Sequence, residues 1–180
     1  MCGKIIKTEG LIICLFPALF SFIGKSTTAA EKFKANLCRA NENIIFHCDL
    51  KEGRKIISVC ASADLSVATG YLQFRLGTQE KIEMQFPDKL SGSRDKFATR
   101  FYFRPPQGDK PLLTSQNHLL FETARLQYRL FYESTGSEKG DFSEIAGLEI
   151  TGASKLNYSC KFPIINQLYL LKEVLREARE

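Results

Sequence analysis

The stretch IIFHCDLKEGRKIISVCA, residues 44–61, decides the fold. Ile44, Phe46, Cys48 and Leu50 alternate with Ile45, His47 and Asp49, a period of two that sends successive side chains to opposite faces of an extended chain. A polar, glycine-bearing turn, Lys51-Glu52-Gly53-Arg54, separates this run from residues 55–61, so the two read as a hairpin. In that pairing Cys48 faces Ile57 and Cys60 faces Ile45, which puts the two cysteines on opposite faces of the ribbon.

Working outward, the same alternation recurs. Leu72, Phe74 and Leu76 interleave with Tyr71, Gln73 and Arg75, and Ile82, Met84 and Phe86 with Lys81, Glu83 and Gln85. Phe101 and Phe103 interleave with Arg100, Tyr102 and Arg104, while Leu126, Tyr128, Leu130 and Tyr132 interleave with Gln127, Arg129 and Phe131. Leu156, Tyr158, Cys160 and Phe162 form the last run. Turn chemistry falls between the runs at Gly77-Thr78-Gln79, Pro87-Asp88, Pro105-Pro106-Gln107-Gly108 and the polar stretch 134–140. With weaker strands near 118–123 and 147–151 the total is nine. The expected fold is mainly β: a single antiparallel β-sandwich or barrel of about 8–9 strands. After Pro163 the spacing of Ile165, Leu168, Leu171, Val174 and Leu175 predicts a C-terminal amphipathic helix from about residue 164.

The beginning of the chain differs in character. Lys4 and Lys7 precede LIICLFPALFSFI, residues 11–23, an uncharged run that ends in Gly24, Lys25 and the small residues Ser26 to Ala30. This is the three-part pattern of a secretory signal peptide over residues 1–30, with cleavage expected before Glu31 and a single domain over 31–180. A membrane span needs about 20 apolar residues, which this run with its central Pro17 does not supply. Cys14 follows Ile13 inside the run, which is not the context of a lipid-anchored cysteine. The segment holds three of the 25 basic residues and one of the 20 acidic ones, so the remainder carries 22 against 19, a net of +3 rather than +5. That balance excludes a strong nucleic-acid footprint.

The expected mature chain keeps Cys38, Cys48, Cys60 and Cys160, which in an exported protein read as two disulfides. Their spacing lacks the close pairs of a zinc site, so no metal is expected. Face parity argues against a 48–60 bond, a conclusion that a β-bulge overturns, and leaves the other two connectivities open. Either would tie the start of the domain to its end through Cys160, with a long closed loop contributing on the order of 4 kcal/mol.

Chemistry-bearing residues are sparse. His47 and His118 lack a nucleophile context and read as exposed strand histidines. Asp49, Glu80, Glu83, Asp109, Glu122, Glu133, Glu144 and Glu149 are scattered and read as solvated positions. No phosphate-cradling glycine loop or calcium-loop pattern is present, and no catalytic set or cofactor is expected. The unusual feature is an arginine and tyrosine set on outward positions: Tyr71, Arg75, Arg100, Tyr102, Arg104 and Arg129. Arg and Tyr are enriched at protein interfaces, so these six are the candidate partner-binding residues. The plain alternative is a solvated face with cross-strand charge pairs, for instance against Glu83.

Residues 46–62, with F-x-C, a lysine and S-V-C-A-S, followed by a hairpin over 71–87 that opens Y-x-x-F-R-L-G, resemble a family of uncharacterised secreted bacterial β-rich proteins. The resemblance extends more loosely to 119–132 and the strand ending at Cys160, and implies export but no specific activity. The opening F-x-C strand is also distantly similar to that of periplasmic lysozyme inhibitors, whose inhibitory loop motif is replaced here by Ser66-Val67-Ala68-Thr69-Gly70. Export, disulfides and a compact β scaffold without catalytic residues point to a periplasmic or secreted domain that binds another protein, such as an enzyme inhibitor or immunity protein, with no stable membrane span. The alternatives are a barrel holding a small apolar ligand, suggested by the fourteen phenylalanines, and a hydrolase built from the scattered carboxylates.

Overall fold

The computed structural model describes residues 36–106, 112–137 and 140–178; the expected signal peptide lies outside the described residues. Eleven strands are present among them: β1 (Glu42–Asp49), β2 (Ile56–Ser62), β3 (Leu72–Gly77), β4 (Ile82–Phe86), β5 (Phe97–Arg104), β6 (Leu112–Glu122), β7 (Gln127–Ser137), β8 (Phe142–Thr151), β9 (Lys155–Ser159), β10 (Ile165–Asn166) and β11 (Arg176–Glu177). They form two sheets, ordered β10-β1-β2-β3-β4 and β11-β5-β6-β7-β8-β9, antiparallel except where β11 runs parallel to β5. The architecture is a two-sheet, sandwich-like fold. The nine expected strand stretches overlap β1 to β9, with Leu50, Thr123 and residues 160–162, for example, falling beyond the strand ends, and the two-residue strands β10 and β11 bring the count to eleven among the described residues.

The core is built from alternate residues of both sheets. Phe46, Ile57, Val59, Leu72 and Phe74 come from the first, and Phe97, Leu119, Phe121, Leu130 and Leu148 from the second. Phe121 is the hub of an aromatic cluster, stacked on Tyr128 at 4.6 Å and on Phe86 at 4.7 Å, with Phe74 and Phe97 at 5.0 and 5.5 Å. Offset and edge-on pairs of this kind each add about 0.5–1.5 kcal/mol beyond their burial.

Two disulfides are formed, Cys38–Cys60 and Cys48–Cys160. Cys48 faces Ile57 as the hairpin reading requires, but the register shifts between Ile44 and Phe46, so Cys60 faces Ile44 rather than Ile45. The bulge at Ile45 leaves Cys48 on the core face with Phe46 and Cys60 on the other. Cys160 bridges Leu50, and Lys161 donates its backbone N–H to Asp49 at 2.7 Å, so the end of β9 is fastened to the end of β1 in the opposite sheet.

The expected C-terminal amphipathic helix is not present. Its place is taken by β10, a six-residue 3-10 helix (Leu168–Glu173) and β11. Ile165, Leu168, Leu171 and Val174 recur every three residues, and a period of three is the eclipsed spacing of a 3-10 turn. Leu168 and Leu171 are buried by it, while pairing of β10 with β1 and of β11 with β5 holds both flanks extended. The polar stretch 134–140 also departs from a plain loop: residues 134–137 continue β7 and pair with β8.

β2 is buried along its whole length, because the first sheet is covered on both faces. The outer covering is the segment before β1. Leu37 is buried there and donates its N–H to Ser58 Oγ at 3.0 Å, and Cys38 is bonded to the outward-facing Cys60.

Candidate binding surface

Under that segment lies the first part of the arginine and tyrosine set, and it is not a surface. Arg75 alternates with Phe74 and so points away from the core, yet its side chain is 1% exposed. Nη1 and Nη2 donate to the two carboxylate oxygens of Glu42 at 2.6 and 2.7 Å, Nη1 also to Leu37 O, and Nε and Nη2 to Gln73 Oε1. All five guanidinium N–H donors are used. Glu42 further accepts from Arg39 N and Tyr71 Oη. Burial alone would raise the Glu42 carboxyl, but the hydrogen bonds from Arg75, Arg39 and Tyr71 and the charge of Arg75 outweigh it and hold the group below its ordinary value. The outward, partner-binding reading of Arg75 is therefore corrected. Tyr71 is half-buried and committed to the same network. Nor does Glu83 pair with these arginines; it meets Lys55 at 2.8 Å.

The other four residues share one face. Leu119, Leu130 and Leu148 define the core side of the second sheet, so the opposite parity defines its outer side: Arg100↔His118↔Phe131↔Gly147 in one row and Tyr102↔Gln116↔Glu133↔Ile145 in the next. Arg129 lies one row below with Leu120 and Glu149, and Arg104 one row above with Thr114. Arg100, Tyr102, Arg104 and Arg129 thus converge on one surface. The side chains of Arg100 and Tyr102 are exposed and form no hydrogen bond or ion pair with a described residue. Arg104 donates Nη2 to Thr114 Oγ1 at 3.2 Å, and its Nε is buried without a partner.

Arg129 is held differently. It meets Glu133 at 3.3 Å and Glu149 at 3.1 Å, and its guanidinium stands 4.8 Å over the Phe131 ring, which itself lies on Gly147. Lys155 completes the network on Glu149 at 2.7 Å, and Lys155 and Arg129 keep the Glu149 carboxyl below its ordinary value.

Both histidines are buried rather than exposed. His47 is 4% and His118 6% accessible, because each sits on a sheet face covered by neighbouring side chains. His118 Nε2 meets Glu133 Oε1 at 2.9 Å, while Nδ1 is buried without a partner. Burial lowers the His118 value most; Glu133 opposes it, and the charges of Arg129 and Arg100 reinforce it. Among the described residues the hydrogen-bond partner of the His118 ring is Glu133, and no nucleophile side chain is bonded to it.

Of the carboxylates, Glu133 and Glu149 belong to the Arg129 network, and Glu144 accepts from Tyr132 Oη, whose value is pushed up to about 12 by burial and that bond. Asp109 lies outside the described residues. Cys38, Glu42 and Cys60 place ligand atoms within 4.8 Å of one another, but both sulfurs are spent in a disulfide and Glu42 is taken by Arg75, so they lack the thiolates a metal would need.

Phe103, Phe142 and Ile145 were not signalled by the sequence pattern, and they are 66%, 69% and 54% exposed. Strands β6, β7 and β8 run 10 or 11 residues against 5 to 8 for β1 to β4, so the long sheet outreaches the short one. Phe103 has core-side parity but falls on that overhang. The signal available in the sequence was the apolar run on both parities of residues 101–103.

Compared with known proteins, the chain matches no family model, no curated protein and no solved structure. No helix among the described residues is long and apolar enough to cross a membrane.

Proposed function

We propose that this chain is an exported protein-binding domain, periplasmic or secreted, whose contact surface is the outer face and free end of the second sheet around Arg100, Tyr102 and Arg104. The observation that carries the proposal is the alternation of three large interface-type side chains on one strand, two of them exposed and without a side-chain hydrogen bond or ion pair among the described residues, beside an exposed Phe103. Arg129, His118 and Glu133 flank this surface on the same face and brace it from the side. Export is supported by the signal-like start, by the resemblance of residues 46–62 and 71–87 to secreted bacterial proteins, and by two disulfides, which persist in oxidising compartments. Inhibition of an enzyme or neutralisation of a toxic one are the activities such a surface serves. Four of the phenylalanines behind the apolar-ligand alternative, Phe74, Phe86, Phe97 and Phe121, pack on one another between the sheets.

The test is co-purification from the exported fraction of producing cells, comparing wild type with Arg100→Glu/Arg104→Glu. A specific protein retained by wild type and lost by the variant, at unchanged thermal stability, is the expected result. Equal retention by both defeats the proposed surface.

A further inference from the structure

We propose that β5 accepts an added strand from an acidic partner protein along its open edge, residues 100–104. The inference rests on the binding surface proposed above and specifies how that surface is used.

β5 is followed in its sheet by β11, which pairs only with Ala98 and Thr99. Ala178 donates its N–H to Thr99 O at 2.8 Å, which shows that the backbone groups of Thr99 point to the β11 side. Backbone polar groups alternate sides along a strand, so those of Phe101 and Phe103 point the same way. Beyond Thr99 no described residue pairs with them. Two N–H donors and two carbonyl acceptors therefore stand in a row at a sheet edge.

Such edges are usually blunted by a bulge, a proline, a charge turned inward or charged side chains along the strand. This one has no bulge, no proline and no inward charge; the charges it does carry, Arg100 and Arg104, oppose a like-charged strand and leave the edge open to an acidic one. β5 pairs with β6 without a register shift across all eight residues from Phe97↔Phe121 to Arg104↔Thr114, and the first prolines, Pro105 and Pro106, come only after the strand ends. The side chains at the edge alternate Arg100, Tyr102, Arg104 on the outer face with Phe101 and Phe103 on the other, and Phe103 is mostly exposed. Strand addition draws affinity from main-chain bonds and specificity from alternate side chains.

Charge selects the occupant. A second copy pairing antiparallel about Tyr102 would set Arg100 opposite Arg104 of its mate, twice, and like charges directly opposite are destabilising. A strand with acidic residues at its first and fifth positions and apolar residues at its second and fourth meets both arginines and both phenylalanines. The partner segment is therefore extended, acidic and alternating.

The probe is the capped peptide Gly-Glu-Val-Thr-Val-Glu-Gly, with Gly-Lys-Val-Thr-Val-Lys-Gly as its charge control, added to the disulfide-bonded protein. Amide exchange is read by NMR at Phe101 and Phe103. The acidic peptide at millimolar concentration should slow both amides by about tenfold or more, the measure of a newly formed local hydrogen bond. The lysine peptide and the Arg100→Glu/Arg104→Glu variant should give none. Phe103→Pro removes an edge donor without touching the β6 ladder, so it should abolish the effect, whereas Phe103→Ala should only weaken it. Unchanged exchange at Phe103, or equal protection by the lysine peptide, overturns strand addition. Concentration-dependent protection without peptide also overturns it, in favour of a second copy. If Arg100→Glu/Arg104→Glu still releases a natural partner while Phe103→Pro retains it, the surface stands and only this mode of use fails.

Discussion

Replacing Glu42 with Gln is the sharpest perturbation of the fold. The substitution keeps the size and one acceptor oxygen of the side chain but leaves Arg75, 1% exposed, as an uncompensated buried cation. It also turns an amide donor toward a guanidinium that has only donors, and removes an acceptor from Arg39 N or Tyr71 Oη. Breaking one side of a buried pair costs about 3–5 kcal/mol. At roughly 2–4 °C per kcal/mol for a domain of this size, the melting temperature should fall by about 10 °C. The chain has no Trp, so urea unfolding with disulfides intact is followed by circular dichroism and tyrosine fluorescence. The native Glu42 carboxyl titrates below its unfolded value, so its contribution is complete above the ordinary carboxylate value and is lost as pH falls through the depressed native one. Wild type should therefore lose its advantage over Glu42→Gln on acidification. Arg75→Met with Glu42→Leu should cost less than the two single changes summed, because both charges leave together. A Glu42→Gln protein within 1 kcal/mol of wild type at neutral pH, by a criterion set well below the usual cost of a broken buried pair, refutes the reasoning.

Three further outcomes follow from the same geometry. Removing Cys48–Cys160, which spans 112 residues, should cost on the order of 4–5 kcal/mol against about 3 for Cys38–Cys60, which spans 22, measured by unfolding of the paired serine variants. His118 is held neutral by burial, so stability should decline as pH drops from the ordinary histidine value to the depressed native one; His118→Gln should lessen that decline, and an identical pH profile would contradict it. Gly147→Ala directs its Cβ at the backbone carbonyl of Tyr158 and to 3.1 Å from Phe131 Cζ, so it should loosen the β8–β9 pairing and cost about 2 kcal/mol or more, read as faster amide exchange in β9.

Strands were legible because alternation survives almost any context, and so was the opposition of Cys48 and Cys60, since the Ile45 bulge interrupts β1 but leaves β2 regular from Ile57, opposite Cys48, to Cys60. Arg75 shows where parity stops. It does point away from the core, but the segment before β1 covers that face. The clue is Cys38: a cysteine four residues ahead of the strand that must reach an outward Cys60 drags its neighbours across the outer side. The same covering buries His47. The C-terminal error has a different origin, since apolar residues every three positions satisfy a 3-10 turn as well as a helix face, and the sheet edges at β1 and β5 decided between them. At the proposed binding surface, alternation puts Arg100, Tyr102 and Arg104 on one face of β5, and the pairing with β6 does the same. It gave no sign of the overhang that exposes Phe103, because unequal sheet lengths appear only when the sheets are stacked.

The most direct test of the proposed function is photo-crosslinking in the producing cell, with a photoreactive phenylalanine analogue at Tyr102 and, as a control, at exposed Asp88 just after β4 of the other sheet. The account predicts one discrete protein adduct in the exported fraction from position 102, absent from position 88 and lost when Arg100 and Arg104 are both changed to Glu. An adduct that forms equally from both positions, or survives the charge reversal, would contradict it.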